Sequence, residues 1–451
     1  MNEKIKKPIS PTRLIIGSFV LVILVGGILL SMPFSSKSGQ FTAFIDSLFT
    51  ATTATCVTGL VTVDTFSHWS YFGQGIILAL IQIGGLGLVT LTTFFMVALR
   101  KKAGLSSMAL AREAVNGNDL SSLKRLVGLV IVFSFTVELI GAAVLAVRFV
   151  PELGSGEGIW VSVFTAISAY CNAGLDLFGR HGAFSSLTHY ANDPLVILTV
   201  SSLVIIGGLG FIVYYDILFA RKKRGHTMLH TRLVIYATLI ILILSTTLFF
   251  LFEFTNPKTI GGIDGAGNKV MAAGFHSVSL RTAGFNTLSL ADLTAPSKLL
   301  SIILMFIGAA PGSTAGGVKV TTVVVIAAML ISTLRGADDV TVLGRKIDRK
   351  TVYKSISLVI IGLFVAAITT SVIYVCDGVN LIDSAFEAFS ALGTTGVSTG
   401  ITPSLSMASK ITVIITMLLG RVGPFTFFIA FSGKSDKSKA VILPEGQIIV
   451  G

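Results

Sequence analysis

The chain has 451 residues, of which 53% are hydrophobic and 12% are charged, and its mean hydropathy is +0.86. Soluble globular proteins carry about 25% charged residues, so this composition excludes a water-soluble fold and indicates a polytopic membrane protein. The net charge of +12 therefore reports membrane topology and not nucleic-acid binding, because the cytoplasmic loops of membrane proteins are enriched in Lys and Arg.

Eight apolar stretches follow one another along the chain, and each predicts a spanning helix. They run from Leu14 to Met32, Phe72 to Leu99, Leu126 to Phe149, Leu195 to Ala220, Leu233 to Phe254, Lys298 to Leu334, Ser355 to Cys376 and Ile411 to Phe431. Each successive pair encloses a shorter segment, rich in small and hydroxyl residues, that ends in a glycine turn. Such a segment is too short to cross a bilayer and is predicted to be re-entrant.

Basic residues are unevenly distributed between the two sides of these predicted spans. Of the 34 Lys and Arg residues, 24 lie at the termini and between the pairs, and eight lie on the side of the re-entrant segments. By the positive-inside rule, both termini are cytoplasmic and the re-entrant segments start from outside. We therefore expect a multi-pass protein of the plasma membrane.

The four pairs form a fourfold internal repeat with two sequence registers. The predicted units are residues 1–99, 100–220, 221–334 with a broken sixth span, and 335–451 with the C-terminal tail. The re-entrant segments read FTATTATCVTGL from Phe49, FTAISAYCNAGL from Phe164, FHSVSLRTAGF from Phe275 and FEAFSALGTTGV from Phe386. The second register reads IGGLG from Ile83 and from Ile206, IGAAP from Ile307 and LGRVG from Leu419. The predicted fold is an all-α membrane protein of eight spanning helices and four re-entrant pore helices, with pseudo-fourfold symmetry around one pore.

The glycine turns predict a selectivity filter for a cation. Short helices aim their partly negative C-terminal ends at the axis, and the extended residues that follow can replace an ion's hydration shell with backbone carbonyls. The candidate filter residues are Val57, Thr58, Gly59, Asn172, Ala173, Gly174, Thr282, Ala283, Gly284, Thr394, Thr395 and Gly396. Neutral carbonyls favour monovalent cations over Mg²⁺ or Ca²⁺, but they do not decide between K⁺ and Na⁺. The alternative is that the glycines only let the chain reverse.

The sixth apolar stretch predicts a gate. It is too long for one straight helix, and its centre combines Gly and Pro, which break helices. A broken helix is tolerated at membrane depth where it lines a cavity, so we interpret this segment as a flexible plug below the filter; a static kink is the alternative. Its residues are Gly308, Ala309, Ala310, Pro311, Gly312, Ser313, Thr314, Ala315, Gly316 and Gly317.

Two basic residues fall within predicted spans. Arg421 stands where the other units have Gly or Ala, and a buried Arg is expected to face a cavity. We predict that it donates hydrogen bonds to carbonyls of the 308–317 loop and holds the closed state; pairing elsewhere is the alternative. Lys319 either joins this cluster or extends towards the cytoplasm.

Glu138 is predicted to pair with a basic or hydroxyl group between helices, and Arg281 to anchor the third re-entrant segment.

These motifs resemble one family. CVTGL, CNAGLDLFG, RTAGFN and TTGVSTG, with GAAPGSTAGGVKV and GRVGPFTF, are similar to the superfamily of Trk, Ktr and HKT cation transporters. The match is nearest to the potassium-uptake membrane subunit of Ktr systems (the KtrB type), because the two additional N-terminal spans of Trk subunits are absent. The LPEGQIIVG ending is also similar to that subunit.

The resemblance implies channel-like K⁺ uptake, with an intramembrane loop that obstructs the pore. It also implies a homodimer in the lipid membrane, on a cytosolic RCK-type (KtrA-like) ring that binds ATP or ADP. Whether Na⁺ is a stimulating ion stays open. This chain itself has no nucleotide motif and no metal-binding cysteine spacing, so no cofactor is expected in it.

Three other functions were weighed against potassium uptake. A membrane enzyme would need a catalytic cluster at membrane depth, but the six histidines lie mainly in loops without ligand spacing, so no enzyme is expected. A secondary cation symporter would show inverted or paired repeats, whereas these four units are parallel. A Na⁺-selective or K⁺/Na⁺ transporter of the same fold stays open.

Overall fold

The computed structural model describes residues 11–87, 120–220, 225–423 and 427. Helices make up most of this part of the chain. In chain order they are α1 Pro11–Ser31, α2 Phe44–Cys56, α3 Thr65–His68, α4 Tyr71–Leu86, α5 Leu120–Leu153, α6 Ser155–Tyr170, α7 Pro194–Leu209, α8 Phe211–Tyr215, α9 Leu229–Glu253, α10 Ala266–Ser279, α11 Ala295–Phe306, α12 Val320–Leu334, α13 Arg349–Asp377, α14 Leu381–Gly393 and α15 Met407–Val422. An antiparallel hairpin of β1 Thr341–Val342 and β2 Arg345–Lys346 lies between α12 and α13.

The helices pack in a cyclic order. Each short helix, α2, α6, α10 or α14, packs against the long helix that precedes it in the chain. Each also contacts the later helix of the preceding unit: α4 packs on α6, α7 on α10, α11 on α14, and α15 on α2. The last contact joins the two ends of the described chain, so the four short helices form a closed ring.

A phenylalanine anchors each short helix in the hydrophobic core. These residues are Phe49, Phe164, Phe275 and Phe386, and all four are buried. Each lies ten or nine residues before the glycine that ends its re-entrant segment. These four glycines, called the repeat glycines below, are Gly59, Gly174, Gly284 and Gly396. The repeated Phe therefore fixes the depth of the short helix relative to the core, which explains why the sequence carries it in every unit.

The helix lengths differ from the eight apolar stretches predicted from the sequence, of which only the sixth was expected to be broken. Among the described residues, three single helices are long and apolar enough to cross a membrane: Val127–Leu153, Leu229–Glu253 and Arg349–Asp377. A fourth crossing is possible if the bent pair Pro194–Leu209 and Phe211–Phe219 counts as one. Ile15–Ser31, Tyr71–Leu86, Ala295–Phe306 and Val320–Leu334 are shorter apolar helices.

The fourth stretch was wrongly predicted as one continuous helix. It bends by 83° at Gly210, which has φ 91° and ψ 140°. The N–H of Phe211 donates to the carbonyl of Gly312, 2.8 Å away, and not to a carbonyl of its own helix. A carbonyl of the loop after α11 therefore replaces a carbonyl of the same helix as the acceptor for this N–H. Gly210 tolerates the positive φ that results.

The predicted break in the sixth stretch is present, because α11 ends at Phe306 and α12 begins at Val320. The second span beyond residue 87, the unit boundary at 99/100 and the C-terminal tail lie outside the described residues.

Two ion pairs join neighbouring units at equivalent positions. Lys298 at the start of α11 bonds Asp383 of α14 at 3.0 Å, and Lys410 of α15 bonds Asp46 of α2 at 2.8 Å. Both lysines lie fourteen residues after a repeat glycine, and both aspartates lie thirteen before one. The side chains are only 14–19% exposed. The second pair links residues 364 positions apart and closes the ring.

We expect Lys410→Met and Asp46→Asn each to lower the thermal stability of the purified protein. A double-mutant cycle should give a coupling free energy of about 1–3 kcal/mol, because removal of one partner leaves a buried charge. The matched control is the Lys258–Asp292 pair, whose side chains are 71% and 36% exposed, and whose coupling should stay below about 1 kcal/mol. Equal coupling in the two cycles would contradict a closing role for the buried pair.

Candidate functional site

Four chain segments leave the C-termini of the short helices with the same unusual backbone. The residue two positions before each repeat glycine has a positive φ, although none of these residues is glycine. They are Val57 (φ 56°), Asn172 (φ 60°), Thr282 (φ 69°) and Thr394 (φ 51°). The repeat glycines follow with φ values of 103° at Gly59, 67° at Gly174, 81° at Gly284 and 87° at Gly396. The left-handed conformation is strained for the β-branched Val57, Thr282 and Thr394 and is tolerated by Asn172, so its recurrence indicates one conformation imposed four times.

The four repeat glycines contact one another in a ring. A Cβ on Gly59 would lie 2.7 Å from the carbonyl oxygen of Ala173, and a Cβ on Gly174 would lie 2.7 Å from that of Ala283. On Gly284 it would lie 2.9 Å from the carbonyl oxygen of Thr395, and on Gly396 it would overlap that of Thr58. Every glycine therefore faces the residue before the glycine of the next unit, and four carbonyl groups meet in one ring. The structure thus brings the four predicted filter segments together at the last two residues of each.

A Thr or Ser hydroxyl of each short helix forms a hydrogen bond with the backbone of the glycine segment that follows it. Thr53 Oγ1 accepts from the N–H of Gly59 at 2.9 Å, and Ser390 Oγ accepts from that of Gly396 at 3.0 Å. The equivalent hydroxyls of Ser168 and Ser279 donate to the carbonyls of Leu175 and Phe285, directly after the other two glycines. The predicted filter residues do not include this set, although each member lies five or six residues before a repeat glycine.

Replacement of Ser390 by Ala should leave the buried N–H of Gly396 without an acceptor, which costs about 1–3 kcal/mol. We expect lower thermal stability and a several-fold loss of discrimination between K⁺ and Na⁺ in liposome flux assays. Ser371→Ala is the matched control, because that exposed hydroxyl donates within its own helix, to Ala367 O at 2.8 Å, instead of supporting a filter segment. Wild-type ion discrimination in a folded Ser390→Ala protein would show that the hydroxyl does not position the ring.

Polar groups without partners lie at the ring itself. The hydroxyls of Thr58, Thr394 and Thr395 are buried and have no hydrogen-bond partner among the described residues. A buried hydroxyl without a partner is costly. Together with the converging carbonyls, these oxygens form a set of neutral ligands that suits a cation.

A cavity of about 350 Å³ opens on one side of the ring. It is lined by all four repeat glycines and by residues that follow them, among them Asp64 and Asp176. Burial raises the pKa of Asp176 to about 6, with a smaller contribution from Asp64. Two carboxyl groups thus give this cavity an acidic wall that favours cations.

The loop between α11 and α12 lies on the other side of the ring. It contacts residues that precede the repeat glycines, since Thr314 Oγ1 donates to the carbonyl of Tyr170 at 3.1 Å. Gly316 packs so closely on Thr394 that an added Cβ would overlap its hydroxyl. The loop is also bonded to α7, because the N–H of Ala310 donates to Gly208 O at 3.1 Å. It therefore lies directly against the ring.

Arg421 bonds this loop to the first unit. Its guanidinium donates to the carbonyl of Thr314 and to the carbonyls of Gly84 and Gly85. The contact between Arg421 and the 308–317 loop is thus present in the structure, together with a contact to α4 that the sequence did not suggest. Lys319 also bonds the loop, through Ala315 O at 2.8 Å and Gly316 O at 3.1 Å, and so belongs to the same cluster.

The second sequence register marks close backbone packing. Gly84, Gly207 and Gly420 lie against the carbonyls of Thr55, Tyr170 and Leu392, where an added Cβ would overlap. Each of these carbonyls lies four residues before a repeat glycine. In the first, second and fourth units, the second register therefore lets the backbone of the later helix pack against the C-terminal end of the short helix. In the third unit Gly308 instead packs on Gly316 of its own loop, because the helix is broken there.

The remaining predicted positions have the following contacts. Glu138 accepts hydrogen bonds from Gln82 at 3.1 and 3.2 Å and lies 3.8 Å from the Cys171 sulfur, so the expected basic or hydroxyl partner was wrong. Arg281 is buried, and its carbonyl accepts from Asn172 Nδ2 at 3.3 Å. Two guanidinium nitrogens of Arg281 have no partner among the described residues.

Comparison with known proteins gives a consistent result. The TrkH family model, described as "Cation transport protein", matches residues 10–441. The Ktr system potassium uptake protein B of Bacillus subtilis is 36% identical, over 98% of this chain and 97% of that protein. The potassium/sodium uptake protein NtpJ of Enterococcus hirae is 37% identical, over 100% of this chain and 99% of that protein.

A solved structure shows the same fold. The potassium transporter TrkH of Vibrio parahaemolyticus superposes with a TM-score of 0.73 at 16% sequence identity, and the match covers 96% of this chain and 86% of that one. At this identity the likeness supports the fold alone.

Proposed function

This chain belongs to the TrkH family of cation transport proteins, a family of transporters and not of enzymes, and from this premise we propose that it is a channel-like K⁺ uptake subunit with a carbonyl-lined filter. The ring of four glycine segments is the observation that carries the proposal. Its carbonyls and its unpartnered Thr hydroxyls are neutral oxygen ligands, which can replace the hydration shell of a monovalent cation.

The filter consists of the twelve residues from Val57–Gly59, Asn172–Gly174, Thr282–Gly284 and Thr394–Gly396. A K⁺ ion enters the acidic cavity, loses water at the ring and leaves on the side of the α11–α12 loop. The short helices aid this step, because their C-terminal dipoles favour a cation. The left-handed first residue of each filter segment and the supporting hydroxyls hold the carbonyls in place before an ion arrives.

The gate consists of the loop 308–317 with Lys319 and Arg421. The loop lies against the ring, and Arg421 fastens it to α4. In this arrangement a guanidinium and an ammonium group stand near the exit path and oppose a cation. Conduction then requires the loop to move away, which its glycines permit.

The fold is inserted as eight spanning segments and four re-entrant pore helices, in units 1–99, 100–220, 221–334 and 335–451. Both termini are cytoplasmic in the plasma membrane. The cyclic packing of the short helices supports this pseudo-fourfold arrangement, and the basic loops support the orientation.

Regulation comes from a partner in the cytosol. The Bacillus subtilis relative is named as a component of a Ktr system, and we infer that this chain forms a homodimer on an RCK-type ring that binds ATP or ADP. The gating loop then receives its signal from outside this chain.

Transport by a combined K⁺/Na⁺ route is the second candidate, because the Enterococcus hirae relative is named a potassium/sodium uptake protein. In that case Na⁺ is either a conducted or a stimulating ion.

A flux series on the purified protein in liposomes tests the proposal. We expect K⁺ and Rb⁺ to pass and Na⁺ to pass at least several-fold more slowly, and we expect the gene to restore growth of a potassium-uptake-deficient strain. Equal K⁺ and Na⁺ flux would support the second candidate. Flux that requires stoichiometric Na⁺ movement would identify a secondary symporter and overturn the channel-like mechanism.

A further inference from the structure

A cluster of metal-binding side chains lies away from the ring. Glu152 near the end of α5 approaches His181 and His189, which belong to two 3₁₀ turns, Gly179–His181 and Thr188–Tyr190. The donor atoms of the three side chains all lie within 4.8 Å of one another, and all three residues are exposed. The histidines have no ligand spacing in the sequence, and it is the fold that brings two of them together.

The two imidazole rings are stacked face to face. Their centroids are 3.9 Å apart and their planes differ by 5°. Nε2 of His189 lies 4.0 Å from Oε1 of Glu152. Donors of a tetrahedral Zn²⁺ site lie about 2.0–2.2 Å from the ion. All three side chains are exposed, so they can rotate towards that geometry.

The carboxylate is oriented by its neighbours. Tyr190 donates its hydroxyl to Oε1 of Glu152 at 3.0 Å, and Arg148 bonds Oε2 at 2.7 Å. Groups of this kind fix a ligand and tune its basicity. Arg148 is also bonded to Asp193, and Arg180 to Glu157. The carboxylates of Glu152, Asp193 and Glu157 carry one more charge than the two guanidinium groups that they bond. The surroundings therefore do not repel a dication.

We propose that Glu152, His181 and His189 form a binding site for Zn²⁺ or a similar transition-metal ion, with an open position for water. Two imidazoles with one carboxylate select such an ion over Mg²⁺ and Ca²⁺, which prefer oxygen ligands alone.

The site is placed to act on the acidic cavity. The chain between the two histidines contributes Phe184, Ser185 and Ser186 to the cavity wall. The N–H of Phe184 donates to Asp64 at 3.0 Å. A bound ion ties this segment to α5, and we infer that it restrains the wall of the cavity and lowers flux from that side. This consequence, unlike metal binding itself, rests on the proposed function.

Titration calorimetry of the full chain in nanodiscs, without a polyhistidine tag, tests the binding. We expect one saturable Zn²⁺ site in the micromolar range, at least about tenfold weaker in His181→Gln and in His189→Gln, and no competition from Ca²⁺. X-ray absorption should show two imidazole ligands per ion. His68→Gln is the matched control, because His68 bonds Thr42 at 2.9 Å outside the cluster.

Unchanged Zn²⁺ affinity in both histidine variants, or equal binding of Ca²⁺, would overturn the site. Flux measured with Zn²⁺ in the outer solution tests the consequence separately. Inhibition of the wild type that is lost in His181→Gln supports it, whereas Zn²⁺ binding without any change in flux overturns the coupling and leaves the site intact.

Discussion

Substitution of Gly396 by serine is expected to lower K⁺ flux by at least about tenfold and to abolish discrimination between K⁺ and Na⁺ in the flux that remains. A Cβ at this position overlaps the carbonyl oxygen of Thr58 and would lie 2.6 Å from the Cα of Gly59. Both neighbours are backbone atoms, which cannot turn away as a flexible side chain does. The φ of 87° adds strain for any residue with a Cβ. The segments of the first and fourth units must therefore separate, which displaces ligands of the conducted ion.

Gly39→Ser is the matched control, because Gly39 also has a positive φ, 67°, but has no atom within 4 Å of an added Cβ. This variant carries the backbone strain without the clash, so its flux and selectivity should equal those of the wild type. The measurement is the K⁺, Rb⁺ and Na⁺ flux series in liposomes, with folding checked by size-exclusion chromatography. Wild-type selectivity in a folded Gly396→Ser protein would exclude the ring as the filter.

Substitution of Arg421 by glutamine is expected to raise basal K⁺ flux of the isolated subunit by about tenfold or more. The guanidinium bonds the carbonyls of Thr314 and Gly84 at the same time, and charge-assisted bonds of this kind are the strong ones. A glutamine side chain is shorter, uncharged and unable to span both carbonyls. The loop loses its link to α4, and the exit path loses a positive charge.

Arg421→Lys separates the two effects, because lysine keeps the charge but cannot form the same fork of hydrogen bonds. High flux in the lysine variant identifies the hydrogen bonds as the latch, and low flux identifies the charge as the barrier. Arg335→Gln is the matched control, since Arg335 is exposed just after α12. Unchanged or reduced flux in a folded Arg421→Gln protein would count against any gating role for Arg421.

The repeat shows how far local sequence determines this fold. The Phe and Gly registers located all four short helices and their terminal glycine segments, because helix ends, turns and buried anchors depend on nearby residues. The same logic located the break after Phe306, where Pro and Gly remove helical hydrogen bonds.

Other features depended on contacts between distant segments. The bend of 83° at Gly210 arises because the backbone of the third unit competes for the N–H of Phe211. Gly207, Gly208 and Gly210 permit this bend but do not require it. Similarly, the partner of Glu138 is Gln82, and only helix packing selects one polar side chain among several.

The sequence by itself determined a fourfold repeat of a short helix followed by a glycine turn, and it predicted that the basic residues are segregated to one side of the membrane. Composition and short-range pattern suffice for these properties, because they follow from burial in lipid and from backbone geometry. Only the tertiary structure decided which atoms meet: the ring closed by Gly396 and Thr58, the fork of Arg421, and the approach of Glu152 to two histidines. Those contacts join residues far apart in the chain, and their geometry is set by the packing of helices whose relative positions no local pattern encodes.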